Sequence, residues 1–197
     1  AGFEAYLVGG CVRDSLLGHT PDDWDVTTSA RPEDTLRLFH NCPQDKVIET
    51  GLRHGTVTVL SGAMQVEVTT YRVEGAYSDN RHPDQVTFTS SLSEDLRRRD
   101  FTINAMAYAP SAGLIDLYSG QRDLENGVIR CVGVPDLRFG EDALRILRAL
   151  RFSSVLSFPI EPETACAIQR CCGLLHHVAA ERQQVELVKL LCGRDVR

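Results

Sequence analysis

The chain has 197 residues, 43 % of them hydrophobic, and a formal net charge of −6. That is enough apolar material for one ordinary core or two small ones, which excludes a disordered or collagen-like chain. No apolar run reaches the ~18 residues of a membrane span and no signal-peptide pattern opens the sequence, so a soluble, cytoplasmic protein without membrane contact is expected.

Glu4 to Val8 reads as a strand running into Gly9-Gly10. Val12, Leu16 and Leu17 then repeat with helical spacing until Gly18. Trp24 to Thr28 is rich in strand formers, and Pro32 opens a helix carrying Leu36, Leu38 and Phe39, since Pro suits the first helical turn. Gly55 to Leu60 and Met64 to Tyr71 flank Ser61-Gly62 as a hairpin, with Val66 and Val68 on one face and Glu67 and Thr69 on the other. Gly75 to Pro83 is a polar, turn-rich loop. Arg97 to Arg99 stand before an expected helix start. From about Leu137 the pattern is helical only, with Leu144, Leu147 and Leu150, then Leu187, Leu190 and Leu191. The expected fold is an α/β (α+β) head with a small mixed sheet over residues 1–136, followed by an all-helical segment over 137–197.

Charge follows the same division, −8 before residue 137 and +2 after it. Nineteen of the 21 basic residues are Arg, whose planar fork meets phosphates and base edges in paired hydrogen bonds; a GC-rich coding bias would give the same count. Seven cysteines, an odd number without a C-x-x-C pair, indicate neither a disulfide framework nor a zinc knuckle.

The chemistry concentrates between Tyr6 and Thr28. A strand ending in Gly9-Gly10 and feeding a helix presents bare backbone N–H groups, with Arg13 on the first turn, which makes a phosphate seat. An ordinary strand-to-helix turn has the same look. In Asp23-Trp24-Asp25, residues i and i+2 of a strand project to one face, so two carboxylates sit side by side and invite a hard cation such as Mg²⁺. Asp-x-Asp is also common in solvated turns. Glu67 adds a third acid if its strand pairs beside that of Asp23, and is otherwise an exposed strand residue. Three acids around two Mg²⁺ ions suit in-line nucleotidyl transfer. Arg97 to Arg99 offer a cationic patch for a triphosphate or an RNA backbone, or a solvated basic turn. Arg145, Arg148 and Arg151 recur at i, i+3 and i+6 beside the apolar face, with Asp142 at their head, which is either a base reader or the wet side of a helix.

Taken in order, G9-G-C-V-R-D-S-L-L-G18, P21-D-D-W-D-V-T-T28, V66-E-V-T-T-Y-R72, R98-R-D-F-T-I-N-A-M-A107 and E141-D-A-L-R-I-L-R-A-L-R-F152 resemble the successive motifs of class II tRNA nucleotidyltransferases, the CCA-adding enzymes of the polymerase-beta-like superfamily. The resemblance implies a catalytic head and a neck that reads the incoming base, with template-independent addition of C, C and A from CTP and ATP to the tRNA 3′ end. Carried over by position, Asp23 and Asp25 bind Mg²⁺; Glu67, as the further catalytic acid, rests on the strand pattern instead. Gly10 and Arg13 contact the nucleotide phosphates, and Arg99 and Asp100 handle triphosphate and ribose. Asp142, Arg145, Arg148 and Arg151 line the nucleotide pocket. The loop E74-G-A-Y-S-D-N-R-H-P83 resembles the segment that CC-only relatives shorten, which favours full CCA addition.

The chain begins at Ala1 rather than Met, and the body and tail helices of the family are expected to be absent from it, leaving head and neck. The rival readings are a poly(A) polymerase, an A-adding or CC-adding relative, and a truncated nucleotide-binding core without efficient tRNA activity.

Overall fold

The structure, a computed structural model, describes residues 2–40, 42, 44–75 and 86–193. Residues 76–83 of the loop likened to the family's flexible segment therefore lie outside the described residues. The described residues divide into two compact units, one of 2–73, 86–98 and 104–117, the other of 74–75, 99–103 and 118–193.

In the first unit, β1 (Ala5–Val8) leads through Gly9 into α1 (Gly10–Leu16), and β2 (Trp24–Thr28) precedes α2 (Pro32–His40). Gly9 has φ 74° and ψ −136°, backbone that only glycine takes up without strain. β3 (Asp45–Gly51), β4 (Thr56–Ser61) and β5 (Met64–Thr70) follow. β6 (Arg72–Glu74) and β7 (Val86–Phe88) form a separate two-stranded sheet. α3 (Leu92–Arg97), β8 (Met106–Ala109) and β9 (Gly113–Asp116) complete the unit.

The main sheet has seven strands in the order β3-β4-β5-β2-β1-β8-β9. It is mixed, as expected: β2 and β5 run parallel while the other neighbours are antiparallel. The hairpin of β4 and β5 forms as its alternation dictates, Val57, Val59 and Val68 being buried. Val26, Val66, Leu36 and Phe39 pack on these three, so α2 covers the valine face. Burying each such valine is worth about 1.5–3 kcal/mol. Side chains alternate along a strand, so Asp25 and Glu67 belong to the opposite face.

Several elements differ from expectation, among them β6, β7 and α4, which the sequence pattern does not mark. β3 was not legible as a strand, nor were β8 and β9. The arginine run does not precede a helix: Arg97 is the last residue of α3, and a 3₁₀ turn (Thr102–Asn104) follows. The physical reason is an N-cap upstream, where the Ser91 hydroxyl accepts the Glu94 N–H and so starts the helix before the run.

The second unit holds α4 (Gly120–Glu125), α5 (Pro135–Glu141), α6 (Leu144–Leu156), α7 (Pro162–Cys171) and α8 (Ala180–Leu191), with a 3₁₀ turn (Cys172–His177) before α8. Pro135 and Pro162 each open a helix, and Glu161 caps α7 by accepting the Thr164 N–H at 2.8 Å. The core here is Phe101, Phe139, Ile129, Val132 and Ile146, all within 1 % of full burial. Phe101 meets the Phe152 ring edge-to-face at 5.7 Å. All seven cysteines are free thiols. Among the described residues, no helix is long and apolar enough to cross a membrane.

Candidate active site

In the first unit, Asp25 on β2 stands in register with Glu67 on β5. Asp23 is not on the strand but in the bend just before it, so its position beside Asp25 comes from the turn and not from strand alternation alone. Asp23, Asp25 and Glu67 line one cleft of about 170 Å³, together with Trp24 and Gln65. Burial pushes the Glu67 carboxyl above its ordinary range, and the charges of Asp25 and then Asp23 push it the same way. Excess negative charge in a small cleft is what a divalent cation offsets, so the donor set fits one. Among the described residues no three His, Cys, Asp or Glu side chains come together as a set that could hold a metal ion, so any cation here would rest on fewer protein carboxylates than three.

α1 starts beside this strand pair. Its first N–H groups have no side-chain cap, as the double glycine suggested, but the residue whose backbone demands glycine is Gly9. A Cβ at Gly10 would meet Arg13 Nη2 at 3.6 Å, ordinary contact. Arg13 is held on two sides: Nε and Nη2 donate to Asp14 at 2.8 and 2.9 Å, and Nη1 donates to Asn104 Oδ1 at 2.8 Å. Asp95, fully buried, is a further organiser that the sequence did not reveal. It accepts from Thr27 Oγ1 at 3.0 Å, the Arg72 N–H at 3.3 Å and Arg98 Nε at 2.9 Å, tying β2 and β6 to the arginine run.

The remaining expected site residues fall in the second unit. Arg99 is half-buried. Asp100 accepts from Arg148 Nε at 2.8 Å and from the Phe101 N–H at 2.8 Å. Burial alone would raise the Asp100 carboxyl, but the Arg148 guanidinium outweighs it and holds the group down at about 2. Arg148 also approaches Glu186 at 3.7 Å, and Arg151 Nε donates to the same Glu186 at 2.5 Å. Arg145 is 8 % exposed; its Nη1 donates to Glu141 at 2.5 Å and to the Arg138 carbonyl at 3.1 Å. The three arginines are therefore not a solvated stripe but an ion-paired set. Asp142 occupies the joint between α5 and α6, accepting the Leu144 N–H at 3.1 Å and Arg182 Nη2 at 2.9 Å. Arg182 and Glu186, one helical turn apart on α8, escaped sequence reasoning because their partners lie 35 to 40 residues away.

Comparison with known proteins follows the same division. The family described as "Poly A polymerase head domain" matches residues 5–130, and that described as "Probable RNA and SrmB- binding site of polymerase A" matches residues 157–197. The CCA-adding enzyme of Lactiplantibacillus plantarum is 50 % identical over 98 % of this chain and 46 % of its own length. That of Lactobacillus helveticus is 52 % identical over the whole chain and 48 % of its own length. Among solved structures, the Bacillus stearothermophilus CCA-adding enzyme in complex with CTP superimposes with a TM-score of 0.87 at 45 % identity, over 98 % of this chain and 45 % of that one. The Thermotoga maritima CCA-adding enzyme complexed with tRNA gives a TM-score of 0.80 at 32 % identity, over 98 % and 44 %. The chain thus spans about half the length of the relatives that it matches.

Proposed function

Since the chain belongs to the poly(A) polymerase head-domain family, and within it is about half identical to CCA-adding enzymes, we propose that it adds C, C and A to the 3′ end of tRNA from CTP and ATP, without a template. The observation that carries this reading is the parallel register that sets Glu67 beside Asp25, with Asp23 in the same cleft.

In this reading Asp23 and Asp25 hold Mg²⁺, two ions in the full two-metal form. The ions would supply charge that favours the deprotonated 3′-hydroxyl and offsets the negative charge on the departing pyrophosphate. Glu67 contributes the third acid and deepens the negative potential that draws the cation in. Gly10 and Arg13 meet the nucleotide phosphates, and Asp14 and Asn104 keep the Arg13 fork from swinging away. Arg99 and Asp100 serve triphosphate and ribose, Asp100 with its carboxylate set by Arg148. Asp142 and Arg145 read the base: cytosine and adenine both present an exocyclic amino donor beside a ring acceptor, which a carboxylate and a guanidinium match. Uracil and guanine present the reverse order and leave both groups unpaired. Arg148 and Arg151 complete the pocket wall.

The division into a catalytic head at 1–136 and a neck at 137–197 is one of role, and it differs from the compact units, which group 99–103 and 118–136 with the helices. Work on tRNA ends would place the protein in the cytoplasm. The name of the matching family favours one other reading, a poly(A) polymerase. Both are tested by incubating the protein with Mg²⁺, a tRNA lacking its terminal CCA and each nucleoside triphosphate, alone and in combination. Extension by C, C and A that then stops supports CCA addition. A long A tract from ATP alone supports the rival.

A further inference from the structure

α8 stands behind the groups assigned to the base and makes no part of that assignment. Its start is pinned: Val178, 5 % exposed, packs into the cluster of Ala143, Leu144 and Leu147. Gln183 Nε2 donates to the carbonyls of Leu175 and Val178 at 3.0 and 2.8 Å, locking the turn that precedes the helix. Arg182 is thereby brought to Asp142 with both arms of its fork, Nη2 to Oδ2 at 2.9 Å and Nη1 to Oδ1 at 3.5 Å. The Asp142 side chain remains 18 % exposed, so it is held without being sealed off.

The χ2 torsion of an aspartate is soft and roughly two-fold. The Leu144 N–H, at 3.1 Å from Oδ1, anchors one oxygen and leaves the carboxylate plane free to turn about it. A guanidinium spanning both oxygens removes that freedom. A carboxylate offers about four lone-pair positions. Leu144 and Arg182 account for three, and one acceptor position is left with a fixed direction. A fixed acceptor can tell an amino group from a carbonyl, whereas a turning one can move to whatever donor is near.

We propose that Arg182 is a positioning residue for nucleobase selection, holding the Asp142 carboxylate in one orientation from the neighbouring helix. The inference rests on the reading that Asp142 meets the base edge, and its test separates the two. On the full chain, the dissociation constants of CTP, ATP, UTP and GTP are measured by titration calorimetry with Mg²⁺ for the wild type and for Arg182→Ala, Arg182→Lys and Asp142→Asn, with thermal unfolding recorded alongside. The expected result is a UTP-to-CTP ratio that shrinks roughly tenfold or more in Arg182→Ala, as for a displaced specificity contact. Arg182→Lys, which restores charge without the fork, should recover part of the ratio. Parallel weakening of all four nucleotides, with the ratio unchanged, would overturn the positioning role. If Asp142→Asn collapses the ratio and Arg182→Ala does not, the role of Arg182 alone falls. If Asp142→Asn leaves it at the wild-type value, or if the wild type shows no discrimination, base reading by Asp142 falls and the inference with it.

Discussion

The acidic cleft of the first unit and the charged groups of the second handle charge in opposite ways, although the first unit also has matched pairs such as Arg98 with Asp95. Along β2 and β5 like charges are crowded, and Glu67 is pushed up by burial first and then by the two aspartates that share its cleft. On the helices of the second unit, opposite charges are matched: Asp100 with Arg148, Glu186 with Arg151, Glu141 with Arg145, Asp142 with Arg182. Crowded like charge costs stability and is kept where a ligand is to supply the missing counter-charge. Matched charge sets the direction of each side chain instead. The first arrangement is built for chemistry and the second for geometry.

Substitution separates the two most sharply at the acids. Asp25→Ala should lower nucleotidyl transfer by at least roughly a thousandfold, several kcal/mol of transition-state charge stabilisation, while the melting temperature holds or rises because repulsion is relieved. Single-turnover extension assays and thermal unfolding check both halves, and transfer within tenfold of wild type would end the metal assignment. Asp100→Ala should do the reverse to the fold, costing about 3 kcal/mol in chemical unfolding, the low end for a broken buried pair because Arg148 keeps Glu186. The same pair predicts acid sensitivity. Asp100 titrates at about 2 folded against an ordinary 3.8, so its stabilisation, about 2 kcal/mol, is complete above pH 3.8 and is lost as pH falls toward 2. Urea midpoints measured across that window in wild type and Asp100→Ala should converge at the acid end; parallel curves would show that the pair is not the source. The smallest effect belongs to Glu67→Gln. Its carboxyl titrates higher folded than free, so it favours the fold most in its protonated form and weakens it once ionised. The neutral amide should leave the neutral-pH melting temperature unchanged or slightly raised, and a clear loss would mean that Glu67 carries structural weight that the comparison denies it.

How far this was legible varies with the range of the interaction. The run from β1 through the double glycine to β2, and the hairpin of β4 and β5, are local patterns and appear where alternation and turn residues place them. β8 was not legible because Asn104-Ala-Met-Ala-Tyr is composed largely of residues with helical propensity. It forms a strand because β1 pairs with it on one side and β9 on the other, with Met106 and Ala107 wholly buried. The acids of the cleft were legible as types, and so were the arginines of α6. Their partners were not, since a pairing such as Arg148 with Asp100 spans 48 residues and leaves no trace in periodicity.

The parallel contact of β2 with β5 also bears on how the molecule comes into being. Its ladder joins residues 42 apart, as between Thr27 and Thr69. Such a closure is entropically slow and must wait for the intervening segment to organise. A nascent chain that has made only β1, α1 and β2 already carries Asp23 and Asp25, but lacks the wall that Glu67 supplies. The acidic cleft is thus complete only once β5 lies beside β2, whereas the sheet itself closes through a still longer reach, where β8 pairs with β1 as between Leu7 and Tyr108.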